Sequence, residues 1–133
     1  MDESPVTVLV VDDQAPFRMA ARAVVRRSTG FALVGEADSG EQAIEQVAAL
    51  QPSLVLMDIK MGGMDGIEAT RHIRRAAPGT VVFLCSTYPL ADLPPDATTS
   101  GAAAYINKED LAPGVLRRLW DGRNDQAFQK ASS

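Results

Sequence analysis

The sequence predicts an α/β domain built around a parallel sheet, and two observations carry that reading. Five short apolar runs rich in β-branched residues alternate with longer stretches of helical periodicity, the alternation from which βαβ units are made. The runs are continuous instead of switching between apolar and polar, which marks strands covered on both faces. Right-handed crossovers in such a sheet put reactive groups beyond the carboxyl ends of the strands, where the strand order reverses.

The elements follow in chain order. The strands are expected at residues 6–11, 32–36, 53–58, 80–85 and 103–106. After the first, Pro16 suits an opening helical turn, and Phe17, Ala20, Ala21, Val24 and Val25 recur on one helical face until Gly30 stops it. Ser39-Gly-Glu-Gln42 is a capping box that opens a second helix with Ala43, Ile44, Val47 and Leu50 inward, ended by Pro52. Asp65-Gly-Ile-Glu68 is another, and its helix runs to about Ala77 before Pro78-Gly79. Between Ala91 and Ser100 only a short or irregular element is expected. Pro94 and Pro95 there lack N–H groups and crowd the preceding turn. The last helix, capped by Asp110, holds Leu111, Val115, Leu116 and Leu119 on one side. Residues 1–122 read as one domain and 123–133 as a polar tail.

Composition narrows the function classes. At 133 residues the chain is long enough for one self-sufficient core. A net charge of -4 argues against nonspecific nucleic-acid or anionic-membrane binding. The arginines at 22, 26, 27, 71, 74, 75, 117 and 118 fall at helical spacings among acidic residues, as on a solvated helix face. Cys85 is the single cysteine, so no internal disulfide forms and a reducing compartment fits. The acidic start MDESPVT lacks a signal segment, and no apolar run reaches the ~20 residues of a membrane span. A soluble, cytoplasmic protein is expected.

What collects at the strand ends is chemically pointed. Asp12 and Asp13 follow the first strand, Asp58 ends the third, Ser86 follows the fourth, and Lys108 lies just past the fifth. If the first and third strands are neighbours, three carboxylates converge. At ~5 Å and an effective dielectric of ~20, each like-charged pair costs roughly 3 kcal/mol. Three pairs cost on the order of 10 kcal/mol, comparable to the whole ~5–15 kcal/mol stability of a domain. Protons or a cation must relieve that repulsion, and hard carboxylate oxygens at an open, hydrated site favour Mg²⁺. Three carboxylates, Mg²⁺ and Lys108 then sum to neutrality, a site able to accept a phosphoryl group.

At this point the chain resembles the receiver domain of two-component response regulators. The matching pieces are Asp12-Asp13 after LVV, LVLMDIKM around Asp58, GGMDGIEA at 62–69, Ser86 closing the fourth strand, Tyr105 in the fifth, and Lys108 beyond it. The intervals between Asp58, Ser86, Tyr105 and Lys108 fit the family pattern, and the match runs from about Val6 to Trp120. LCSTY and MDGIEATRHIR are most similar to receivers usually joined to a helix-turn-helix output. The resemblance implies a flavodoxin-like, doubly wound, five-stranded sheet in the order 2-1-3-4-5. It implies that Asp58 is the nucleophile that becomes an aspartyl phosphate, with Asp12, Asp13, Asp58 and the Lys60 main-chain carbonyl around Mg²⁺. Lys108 would pair with the phosphoryl oxygens, Ser86 would donate its hydroxyl to them, and the Thr87 and Lys60 amides would assist. Tyr105 would change its burial as the loop bearing Ser86 closes. Such roles suit phosphoryl transfer, which needs positioning and charge neutralisation more than covalent activation.

Plainer readings stand beside these. One aspartate of the 12–13 pair would serve as a helix cap, but a cap needs only one carboxylate. Taken alone, Ser86 is a turn residue, Lys108 a solvated lysine and Tyr105 plain core; spacing is what gives them weight. Cys85 in a buried strand reads as a small hydrophobe, and His72 as solvated. Trp120 and Phe128 either cover the end of the core or face a partner. Three positions depart from the family: Gly62 stands where proline is common, Glu109 follows Lys108 where proline is common, and Pro94-Pro95 alters the fourth helix.

The expected protein is thus a phosphoacceptor in a Mg²⁺-dependent phosphorelay and not an enzyme acting on small molecules. A haloacid-dehalogenase-like phosphatase would place D-x-D after the first strand, and a Rossmann nucleotide binder G-x-G-x-x-G; neither pattern is present. A phosphorylation-independent interaction domain is the other alternative. A histidine kinase or phosphotransfer protein would supply the phosphate, and a downstream protein would read the result. Contact with nucleic acid or membrane is not expected, and the oligomeric state is expected to be a monomer or weak homodimer. Too few residues follow Lys108 for a helix-turn-helix, which favours a stand-alone receiver over the receiver half of a DNA-binding regulator.

Overall fold

The computed structural model describes residues 4–124 and 128–131. Its strands are β1 (Val6–Val11), β2 (Phe31–Ala37), β3 (Leu54–Asp58), β4 (Val81–Ser86), β5 (Ala104–Asn107) and β6 (Gln129–Ala131). Its helices are α1 (Ala15–Arg27), α2 (Gly40–Leu50), α3 (Gly66–Ala76) and α4 (Pro113–Asp121). The strands form one sheet in the order β2-β1-β3-β4-β5-β6, parallel throughout.

Each central strand buries both faces, so alternate residues feed two cores. Leu9, Val11, Val55, Met57, Val82, Leu84 and Tyr105 join Val47 of α2 and Ile67 and Ile73 of α3 on one side. Val8, Val10, Leu54, Leu56, Phe83, Cys85 and Ile106 join Ala21 and Val25 of α1 and Leu116 and Leu119 of α4 on the other. The doubly wound flavodoxin-like arrangement follows from that division.

Both N-caps form as read, while Gln42 Oε1 accepts the Asp38 N–H at 2.7 Å and not the Ser39 N–H of a full capping box. Ser39 Oγ accepts the Gln42 N–H at 3.1 Å and Asp65 Oδ1 accepts the Glu68 N–H at 2.8 Å, each supplying a partner for an otherwise orphaned amide. Where Pro94 and Pro95 forbid a regular helix, the chain makes two 3₁₀ turns, Leu90–Asp92 and Pro95–Thr99. Trp120 covers one end of the core, its ring edge-on to Phe31 with centroids 6.3 Å apart.

Two expectations are corrected. The sheet has six strands and not five, because residues 129–131 of the supposed polar tail pair with β5. The Gln129 N–H donates to Ala103 O at 3.1 Å, Gln129 Nε2 donates to Leu119 O at 3.2 Å, and Ala131 is buried. A three-residue strand with one apolar side chain leaves no periodicity to detect. Asp110, in turn, does not cap the last helix. It belongs to a 3₁₀ turn, Lys108–Asp110, and α4 begins later, at Pro113, with Ala112 before it.

Candidate functional site

β1 and β3 are adjacent, with Val11 beside Met57 in the ladder. The residues that end these strands therefore leave the same edge of the sheet. Asp12 and Asp58 are buried and Asp13 is exposed, and one carboxylate oxygen from each lies within 4.8 Å of the other two. The convergence expected from the strand ends is present.

Local contacts hold each group in place. Asp12 Oδ1 accepts the Gln14 N–H at 2.8 Å, and its main-chain carbonyl accepts Arg18 Nη1 at 2.6 Å. This pins the turn between β1 and α1. Below Asp58, the Gly66 N–H donates to Ile59 O at 2.7 Å, bringing the start of α3 hard against β3. A Cβ at Gly66 would overlap the Asp58 carbonyl, so only glycine permits this approach. Lys108 opens the 3₁₀ turn that follows β5, and Asn107 Oδ1 caps that turn by accepting the Glu109 N–H at 3.0 Å. From there Lys108 Nζ reaches Asp12 Oδ2 at 2.7 Å and Asp58 Oδ1 at 3.4 Å.

The electrostatics are those of a site short of positive charge. Burial, and then the nearby Asp12 charge, push the Asp58 carboxyl up to about 6, against the opposing pull of Lys108. Burial disfavours the Lys108 ammonium, but hydrogen bonding and charge from Asp12 and Asp58 outweigh it and hold its pKa above the ordinary lysine value. Asp12 Oδ2 is buried, and its partner is the Lys108 ammonium at 2.7 Å. One ammonium against three carboxylates leaves a deficit that a hard divalent cation fits: all the donors are oxygens, one of them a buried atom with spare accepting capacity.

The remaining predicted residues lie on the same edge. Ser86 is the buried last residue of β4, and its Oγ accepts the Tyr88 N–H at 3.5 Å. Its neighbour Cys85 is the ladder partner of Asp58. Burial drives the Cys85 thiol well above its usual pKa, so it is an unreactive core group. Tyr105 is fully buried and its hydroxyl donates to Tyr88 O at 2.7 Å and Ser86 O at 3.1 Å. Burial pushes that phenol up to about 12. Asn107 Nδ2 adds a bond to Tyr88 O at 3.3 Å, so the loop after β4 is tied to β5. Lys60 and Thr87 are exposed on the loops that follow β3 and β4.

Sequence reasoning missed three contributors: Arg18 as the brace of the Asp12 turn, Asn107 as the cap that presents Lys108, and Phe17. The Phe17 ring was read as one position of the apolar face of α1, yet Lys108 Nζ stands 4.5 Å from its centroid. The spacing of Phe17 and Arg18, one helical turn past the paired aspartates, is the signal that was available.

Comparisons with known proteins agree with this geometry. The family model "Response regulator receiver domain" matches residues 8–118. Over 104 residues the chain is 42% identical to a protein-glutamate methylesterase/protein-glutamine glutaminase of Alkalilimnicola ehrlichii, covering 77% of this chain and 27% of that protein. It is 32% identical over 127 residues to response regulator protein VraR of Staphylococcus saprophyticus, covering 96% of this chain and 61% of the relative. The chain thus spans only about a quarter to three fifths of these curated relatives' lengths. Among solved structures, the receiver domain of the putative response regulator NarL from Mycobacterium tuberculosis superposes with a TM-score of 0.82 at 30% identity, covering 92% of this chain and 98% of that one. The response regulator domain of Thermotoga maritima CheB gives 0.79 at 29% identity, covering 90% and 97%. On the match of its sequence over most of its length, the chain belongs to the receiver domain family of two-component response regulators.

Proposed function

We propose that this receiver is a phospho-switch whose acceptor is Asp58 and whose charge is balanced by Mg²⁺ and Lys108. The observation that carries the reading is the meeting of Asp12, Asp13 and Asp58 within 4.8 Å, with Lys108 Nζ on two of the three. Asp12, Asp13, Asp58 and the Lys60 carbonyl would hold the metal, which when bound supplies positive charge beside the incoming phosphoryl oxygens. Asp58 attacks phosphorus in its ionised form; the bond from its Oδ to phosphorus forms as the bond to the donor breaks. Lys108 exchanges its Asp58 contact for a phosphoryl oxygen and transfers no proton. The Ser86 hydroxyl then turns from the Tyr88 amide to the phosphoryl group, with the Lys60 and Thr87 amides beside it. Because Tyr105 is bonded to the carbonyls of Ser86 and Tyr88, any inward movement of that loop must break or carry the Tyr105 contacts, biasing a two-state equilibrium.

A histidine kinase or phosphotransfer protein supplies the phosphoryl group in this reading, in the cytoplasm, and a partner protein reads the altered surface. Among the described residues, no helix is long and apolar enough to cross a membrane. Incubation with acetyl phosphate and Mg²⁺ is expected to add one phosphoryl mass, and Asp58→Asn to abolish the addition. Undiminished labelling in the variant would place the nucleophile elsewhere; no labelling of the unmodified protein, with full activity retained in Asp58→Ala, would favour a phosphorylation-independent interaction domain. A second reading, that this sequence is the receiver portion of a longer regulator and not a stand-alone one, is favoured by the relatives' greater lengths. The intact mass of the protein isolated from its native cells decides between them.

A further inference from the structure

We infer that Phe17 is a positioning residue for Lys108, holding the ammonium over the phosphoacceptor by a cation–π contact; the inference rests on the reading of Asp58 as the acceptor. Lys108 Nζ is held by Asp12 and Asp58 and stands 4.5 Å from the Phe17 ring centroid, inside the ~6 Å reach of such a contact. Its side chain is only 12% exposed, so the ring acts in a site where water competes weakly. The ring is itself well anchored. Pro16 lies in the first turn of α1, the Phe17 N–H donates to Gln14 O at 3.1 Å, and the side chain packs against the core shared by β1, β5 and α4.

The physical need arises during transfer. Lysine carries a long, flexible stem, and confining it costs rotamer entropy. When Lys108 releases Asp58 to meet a phosphoryl oxygen, one of its two ionic anchors is lost. The Phe17 ring carries no ionisable group, so its side of the contact is unchanged when Asp58 gains a phosphoryl group. It therefore keeps the ammonium from swinging out into solvent while its ionic partners change. An aliphatic side chain of similar size would give the same apolar wall without the negative ring face.

The test uses the full chain with Phe17 replaced by mono-, di- and trifluorophenylalanine, which withdraw charge from the ring face with little change in volume. Labelling at Asp58 by acetyl phosphate and Mg²⁺ is expected to slow stepwise, reaching about three- to ten-fold across the series. Phe17→Leu should slow it to a similar extent, and Phe17→Tyr should retain most of the rate. In the metal-free protein, the proton resonances of the Lys108 Cε methylene are expected upfield, under the ring, and to return to ordinary values in Phe17→Leu. A flat rate series in protein whose wild type labels normally overturns the positioning role, as does an unshifted Lys108 methylene. Absence of labelling in the wild type instead removes the phosphoacceptor reading, while the methylene shift still reports the contact.

Discussion

Asp58 is held in the folded chain with a carboxyl pushed up to about 6 by burial and by Asp12, against about 3.9 in an unfolded chain. The folded state therefore binds this proton more tightly. The stability so gained is fully present below pH ~4 and is lost as pH rises through about 6, amounting to roughly 2–3 kcal/mol. In EDTA, Asp58→Asn is expected to be more stable than the unmodified protein at pH 8 and equal to it near pH 4, by urea denaturation at both values. Parallel stability curves for the two proteins would contradict the burial argument. Gly66 poses the opposite case, a residue with no chemistry on which the site depends. Since a Cβ there would collide with the Asp58 carbonyl, Gly66→Ala must push α3 off β3, at a cost of roughly 2–4 kcal/mol. A lowered urea midpoint together with loss of labelling at Asp58 is the expected result, and an unchanged midpoint would refute it.

Among the elements, the informative ones are those where local sequence and tertiary context pull differently. The N-caps at Ser39 and Asp65 were legible because their hydrogen bonds are made within four residues of the cap. The Pro94-Pro95 stretch was legible as a breaker for the same reason, since the missing N–H groups are a local fact. β6 was not. It exists because β5 would otherwise present an unpaired edge, and Gln129 and Ala131 happen to reach it. Removing residues 128–133 is expected to lower stability by about 1–3 kcal/mol, from partial burial of Phe128 and Ala131 and the lost ladder bonds. Hydrogen exchange of the Ala104–Asn107 amides should quicken in the truncated chain; unaltered exchange would mean that β6 adds nothing to β5.

Across the whole molecule, one geometric fact assembles the site: neighbouring parallel strands deliver their carboxyl ends to one edge. The sequence by itself determined the first five strand segments, which residues close them, and that the acidic residues there would repel one another unless protons or a cation relieved them, because hydrophobic periodicity and charge repulsion are local or pairwise quantities. It also sufficed to name Asp12, Asp13, Asp58 and Lys108 as a set, since their spacing matches a known pattern. Only the tertiary structure decided that Lys108 directs its charge at Asp12 and Asp58, that Phe17 faces that ammonium, that Asn107 caps the turn presenting it, and that a sixth strand covers β5. Each of these joins groups that are distant along the chain or chooses between neighbours equally able to serve. Such choices are made by how the strands and helices pack, which no window of sequence contains.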